Sequence, residues 1–225
     1  MQKRLTAASQ NGGSSYGKQS IRIWPRIEAV VYGEEASPKD VMAPRLTTDG
    51  VLIQGFFPEA DKTEVLVGSR KYEMEQEDEA GYFAAMIPGR KIPDYKYRVT
   101  KGEETKEFAD PYAFSGQITE AEEKAFCAGV YYHAYEKLGA HPMKINGVKG
   151  TSFAVWAPNA MRVSVVGDFN AWDGRCHAMH RMPMSGIFEL FIPDVKAGDI
   201  YKYELKLKGN RIELKSDPYA ACTEV

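Results

Sequence analysis

Three groups of residues have side chains that do chemistry, and their spacing argues against each. Cys176, His177 and His180 could touch a metal, but they supply three ligands on what reads as one strand, and no second cluster completes four. His141, in Leu138-Gly139-Ala140-His141-Pro142, has no nucleophile near it in sequence and reads as a hydrogen-bonding residue at a linker turn rather than a catalytic base. The acidic run Glu73, Glu75, Glu77, Asp78 and Glu79 offers calcium ligands, yet it lies between two strand-like segments and reads as a solvated hairpin tip. No Ser-His-Asp order, Walker loop or Gly-rich nucleotide fingerprint is visible. The expectation is therefore no catalytic residue, no metal and no cofactor. What remains is Trp172, two residues after Asn170 in Gly167-Asp168-Phe169-Asn170-Ala171-Trp172-Asp173-Gly174. A flat apolar face beside an amide suits stacking and hydrogen bonding, not bond breaking.

The elements that must hold this loop come from an internal repeat. Gly50–Pro58 lies opposite Gly150–Pro158, 100 residues on, and both read as a strand stopped by proline. Val65–Gly68 pairs with Ser164–Gly167 at an offset of 99, and Gly81–Pro88 with Gly186–Pro193 at 105. The Trp172 loop is thus an insertion of about six residues that the first copy lacks, and inserted loops often carry function. Tyr95-Lys96-Tyr97 matches Tyr201-Lys202-Tyr203, and Asp110-Pro111-Tyr112-Ala113 matches Asp217-Pro218-Tyr219-Ala220. Each copy consists of short alternating segments bounded by Gly, Pro and Asp, the pattern of a small antiparallel sandwich. Tyr201 to Leu207, turned by Lys208-Gly209-Asn210 into Arg211-Ile212-Glu213-Leu214, reads as a hairpin, with the equivalent turn at Lys101-Gly102. Trp156 should face away from Phe153, Val155 and Ala157 in a structural role, and Trp24 beside Pro25 reads as a hydrophobic staple at a helix start.

Between the copies, Thr119-Glu120-Ala121-Glu122 has the form of a capping box. Phe126, Val130, Ala134 and Leu138 recur every four residues up to Gly139, interrupted by Gly129, so two short helices or one broken helix should link the copies. Ile27 to Gly33 reads as a short leading helix. The expected fold is all-β: two tandem immunoglobulin-like sandwiches of the early-set kind joined by a short helical linker. Residues 1–20 read as a disordered tail, 21–114 as the first module, 115–149 as the linker and 150–225 as the second module.

At 225 residues with 29 basic and 31 acidic side chains, the chain has a net charge of -2 and lacks the basic surface that nucleic acid requires. Three widely spaced cysteines give no disulfide framework, and no secretory signal or transmembrane run is present, so a cytoplasmic protein without a membrane partner is expected.

Tyr135–Pro142, Gly150–Ala160, Val163–Arg175 and Ser185–Pro193 together resemble bacterial 1,4-α-glucan branching enzymes of glycoside hydrolase family 13, the last three stretches falling in a family 48 carbohydrate-binding module. The earlier copy is similar to the extra amino-terminal module of the longer members, although Met42-Ala43-Pro44-Arg45 stands where a second Leu-Gly-x-His is usual. The resemblance implies a glucan partner, contacted by Trp172 and Lys202 with Asn170 in the same loop. It also implies a catalytic barrel as docking partner, in which the full enzyme cleaves an α-1,4 glucan and transfers the piece to a 6-hydroxyl. No room for a barrel of ~250 residues remains, so the chain alone should be inactive. Arg211 and Ile212 stand where sugar-binding members offer a second aromatic, which implies weak glucan affinity. Trp172 could instead pack against the barrel or cap the sandwich. Two other readings fit the resemblance: a free-standing glycogen-sensing module, and the amino-terminal part of a related debranching or trehalose-releasing enzyme.

Overall fold

The computed structural model describes residues 24–222; the segment read as a disordered tail lies outside them. Antiparallel pairing turns the sequence repeat into two sandwiches. After helix α1 (24–31) and the single turn α2 (Lys39–Met42) come β1 (Arg45–Leu46), β2 (Val51–Phe56), β3 (Lys62–Val67), β4 (Arg70–Glu73), β5 (Glu75–Asp78), β6 (Tyr82–Ile87), β7 (Lys96–Lys101) and β8 (Glu104–Phe108). The linker carries α3 (Glu120–Cys127). The second sandwich is β9 (Gly139–Ile145), β10 (Val148–Trp156), β11 (Arg162–Gly167), β12 (His180–Arg181), β13 (Ile187–Pro193), β14 (Tyr201–Leu207) and β15 (Arg211–Lys215). Sheets β1-β2-β6-β5 and β4-β3-β7-β8 face each other in the first sandwich, and β12-β13-β10-β9 and β11-β14-β15 in the second.

The repeat is anchored by matching buried polar clusters. Tyr95 and Tyr97 donate to Asp110 Oδ2 at 2.5 and 3.0 Å, and the other oxygen accepts from Tyr112 N at 2.8 Å. Tyr201 and Tyr203 do the same to Asp217 at 2.5 and 3.2 Å, with Tyr219 N at 2.8 Å. Each aspartate thus ties the strand of the Tyr-Lys-Tyr motif to the turn that ends its module, which is why both motifs recur together. Pairing also corrects the alignment. Val65, opposite Tyr97, is equivalent to Val165, opposite Tyr203, an offset of 100 rather than 99.

Two sheets are covered on both faces, which explains why β2 and β13 are buried at every position. Inside the first sandwich lie Val51, Ile53, Val65, Phe83 and Tyr97. The outer face of its β2–β6 pair, Leu52, Phe56, Tyr82 and Ala84, packs with Ile27, Val30 and Met42 and is continuous with the second sandwich's core of Phe153, Val163, Val165, Phe188 and Tyr203. On the far side, Ile118 and Leu138 of the linker cover Ala154 and Ile187. Trp24 packs partly against the shared core and donates to Glu28 at 3.1 Å, one turn further along α1.

The linker is a strap, fixed by buried carboxylates. Its capping box forms as read: Glu122 N donates to Thr119 Oγ1 at 3.2 Å and Thr119 N to Glu122 Oε2 at 2.8 Å, and Gly129, at φ 72°, ends the helical path. Glu189 on β13 accepts from Gln117 N and Ile118 N at 2.8 and 3.1 Å. Burial raises its pKa, and those two N–H groups oppose the shift. Glu123, 2% exposed, accepts from Met184 N, Ser185 N and Ser185 Oγ, each at 2.9 Å.

Three expectations change. Residues 139–145, read as part of the helical linker, are strand β9 paired along β10, so the second sandwich begins well before residue 150; Pro142 is tolerated because β9 is an edge strand. His141 accordingly sits on that strand, 3.0 Å from Leu138 O. The acidic run is no hairpin tip: β4 and β5 belong to opposite sheets, and Met74, buried between them, makes the crossing. Cys176 and His177 lie in a turn, with only His180 on a strand. No helix among the described residues is long and apolar enough to cross a membrane.

Candidate functional site

Residues 168–177 run from the end of β11 over the outer face of sheet β11-β14-β15. Val163 and Val165 point into the core, so Arg162, Ser164 and Val166 point outward, opposite Lys206, Glu204 and Lys202. The loop is pinned to that face by Arg162, 2% exposed, whose guanidinium donates to Ser164 Oγ and Glu204 Oε1, both at 2.5 Å, and to the Gly174 carbonyl. A Cβ on Gly174 would displace the Glu204 carboxylate from its place beside Arg162. Asp173 and Arg175 close the far end of the loop with a 2.7 Å ion pair; the Asp173 carboxyl stays below its ordinary range because its bonds to Arg175 outweigh a burial that would raise it.

Asn170 spends its side chain inside the loop. Its Nδ2 donates to Val165 O at 2.8 Å and lies 2.9 Å from His177 Nδ1, while Oδ1 accepts from Gly167 N at 3.0 Å. Burial pushes the His177 pKa down to about 4, so near neutral pH the ring is neutral and Nδ1 accepts that bond. Ala171 and Trp172 follow in the left-handed region, φ 53° and 59°, strain that the Asn170 bonds offset locally. The turn presents Trp172 outward, 38% exposed, its Nε1 held by Asp168 Oδ1 at 2.8 Å and its backbone N by Gly167 O at 3.0 Å.

Lys202 is exposed on the same outer face, opposite Val166, one residue from the Gly167 that anchors Trp172. Ile212 and Leu214, opposite Lys206 and Glu204, put two further exposed apolar side chains on that face. Trp172, bonded through its backbone to Gly167, and Lys202, opposite Val166, are thus both exposed near the end of β11, while Asn170 positions the loop. Ile212 was legible only as standing, with Arg211, in place of an aromatic, and Leu214 only as a hairpin residue; their alternation with Arg211 and Glu213 was the available signal. Trp156 points outward as its alternation required, ring edge-on to Phe126 at 5.9 Å, with Nε1 donating to Ser185 O. Arg45, in place of the usual histidine, donates to Gln54 Oε1 and Val41 O and serves the fold.

Comparison with known proteins divides the chain where the structure does. Residues 24–112 match the family described as alpha-1,4-glucan branching enzyme GlgB, N-terminal domain, and residues 137–220 match carbohydrate-binding module 48 (isoamylase N-terminal domain). The second match begins just before β9, not at residue 150. The chain is 38% identical over 207 residues to the 1,4-alpha-glucan branching enzyme GlgB of Synechococcus elongatus, and equally to that of a second Synechococcus strain. These matches cover 89% of this chain and 27% of each relative, so the chain spans about a quarter of their length. Among solved structures, a pullulanase from Anoxybacillus complexed with maltotetraose aligns with 79% of this chain and 24% of its own, at 20% identity and TM-score 0.32.

Proposed function

As the amino-terminal region of a 1,4-α-glucan branching enzyme, the family to which this chain belongs, the molecule, we propose, holds α-glucan on the outer face of its second sandwich and braces a catalytic barrel that lies outside these residues. The observation that carries the first part is Trp172, which stands half-exposed on a strained turn whose internal bonds are already made, so stacking on a sugar ring costs little ordering. Lys202 supplies a donor on the same face and the aliphatic Ile212 and Leu214 extend it. Without a second aromatic, affinity is weak. The bracing role is supported by exposed apolar side chains beside the linker, Val130, Tyr132, Tyr135 and Trp156, a surface of the kind that partners cover. A cytoplasmic setting follows from this reading.

Titration of the chain with maltoheptaose and then glycogen, followed by tryptophan fluorescence, tests the platform. A saturable change is expected, weakened at least about tenfold, ~1.4 kcal/mol, by Trp172→Ala. An unchanged curve in the variant, or no change at all in the parent chain up to millimolar sugar, would remove Trp172 from glucan contact and leave it to packing.

A further inference from the structure

The loop that shows Trp172 to solvent has a second side, and it forms one wall of a cavity of about 630 Å³ between the two sandwiches. Phe169 and Ala171 line it from the second sandwich; Phe57, Val99 and Phe108 line it from the first. Its size falls in the ~300–1,000 Å³ range of small-molecule sites, with aromatic and aliphatic walls and a polar rim. The rim's charge narrows the ligand class. Its cations, Lys101, Lys106 and Arg175, are each already paired, with Glu59, with Glu104 at 3.0 Å and with Asp173 at 2.7 Å. Glu107 is likewise paired, with Arg98 at 2.5 Å, and Asp194 adds a negative charge. A phosphate or carboxylate would find every rim cation already engaged and no net positive charge to draw it in. A neutral ligand with apolar faces and hydroxyl edges fits both features: its faces meet the rings, and its edges meet the rim.

We propose that this inter-sandwich cleft is a second binding site, for a short neutral α-1,4-linked glucose oligosaccharide, built by both sandwiches and separate from the Trp172 face. The choice of sugar rests on the glucan reading above; the cleft, its neutrality and its two-sandwich construction do not. Since one loop serves both surfaces, a long glucan can engage the two at once, and glycogen should bind more tightly than maltotetraose by avidity.

Amide shift mapping of the whole chain with maltotetraose tests the proposal. The amides of Phe57, Lys101 and Phe108, all on the first sandwich, should move saturably, should still move in Trp172→Ala, and should stop moving in Val99→Trp, which fills the cleft from the wall opposite the loop. Movement confined to the Trp172–Lys202 face overturns the cleft site, as does saturable movement that survives Val99→Trp unaltered. If Val99→Trp fails to fold, the map of the parent chain decides by itself. The two readings fail separately: cleft amides that move while those around Lys202 stay still support the cleft and remove the outer face, and the reverse pattern does the opposite.

Discussion

Replacing Arg162 with leucine is expected to destabilise the chain by about 3–5 kcal/mol, because it strands a partly buried carboxylate while removing its partner. Glu204, with 15% of its side chain exposed, faces a guanidinium at 2.5 Å that is 3% exposed. That guanidinium also holds Ser164 and the Gly174 carbonyl, so the same change frees the Trp172 loop from the sheet. Urea unfolding gives the stability, and hydrogen exchange at Trp172 and Gly174 should quicken well before global unfolding. Adding Glu204→Gln to the leucine variant removes the stranded charge and should recover part of the loss. A cost under about 1 kcal/mol, with loop exchange unchanged, would mean that Arg162 is not what holds the loop.

The second large effect is on pH dependence and comes from Asp110. Burial is the main cause that raises its pKa from 3.8 to about 6, against the bonds from Tyr95, Tyr112 N and Tyr97. A carboxyl with a raised folded pKa binds more protons folded than unfolded between those values, so its contribution is fully present below about pH 4 and is lost as pH rises through about 6. The shift corresponds to about 3 kcal/mol. Asp110→Asn carries no such titration. Unfolding free energies of parent and variant should therefore differ by about 3 kcal/mol more in the parent's favour at pH 3.5 than at pH 7. A difference independent of pH would show that the tyrosine and backbone donors fully offset the burial.

What the sequence disclosed and what it hid have physical reasons. The sandwiches, both hairpins and the capping box were legible because each rests on local chemistry: proline stops at Pro58 and Pro158, turns at Gly102 and Gly209, and Thr119 three residues before Glu122. Strand β9 was not, since Gly139 and Pro142 punctuate it like a loop and only its edge position excuses them. The acidic stretch misled because a strand that changes sheets has the same local pattern as one that turns back. Trp172 and Lys202 were singled out by resemblance, and the register of β11 against β14 sets Lys202 opposite Val166, beside the Gly167 that holds Trp172. The role of Asn170 was hidden, because its three partners, Val165, Gly167 and His177, are chosen by the loop's path rather than by residue type. The cleft could not be read at all: Phe57 and Phe169 come to line one cavity only once two modules are docked.

The shared core also sets a timetable. Leu52, Phe56, Tyr82 and Ala84 are made early in synthesis, whereas their partners Phe153, Val163, Phe188 and Tyr203 follow roughly 100 residues later. At ~5–20 residues per second, the first sandwich leaves the ribosome with that face only partly covered by α1 and α2 for ~5–20 s. A nascent chain stalled after the first sandwich should accordingly bind trigger factor-like holdases or an apolar dye at this face. Release of the full chain should cover the face and end that binding. The surface that makes the finished pair of modules one body is, for those seconds, the part of the chain most exposed to capture.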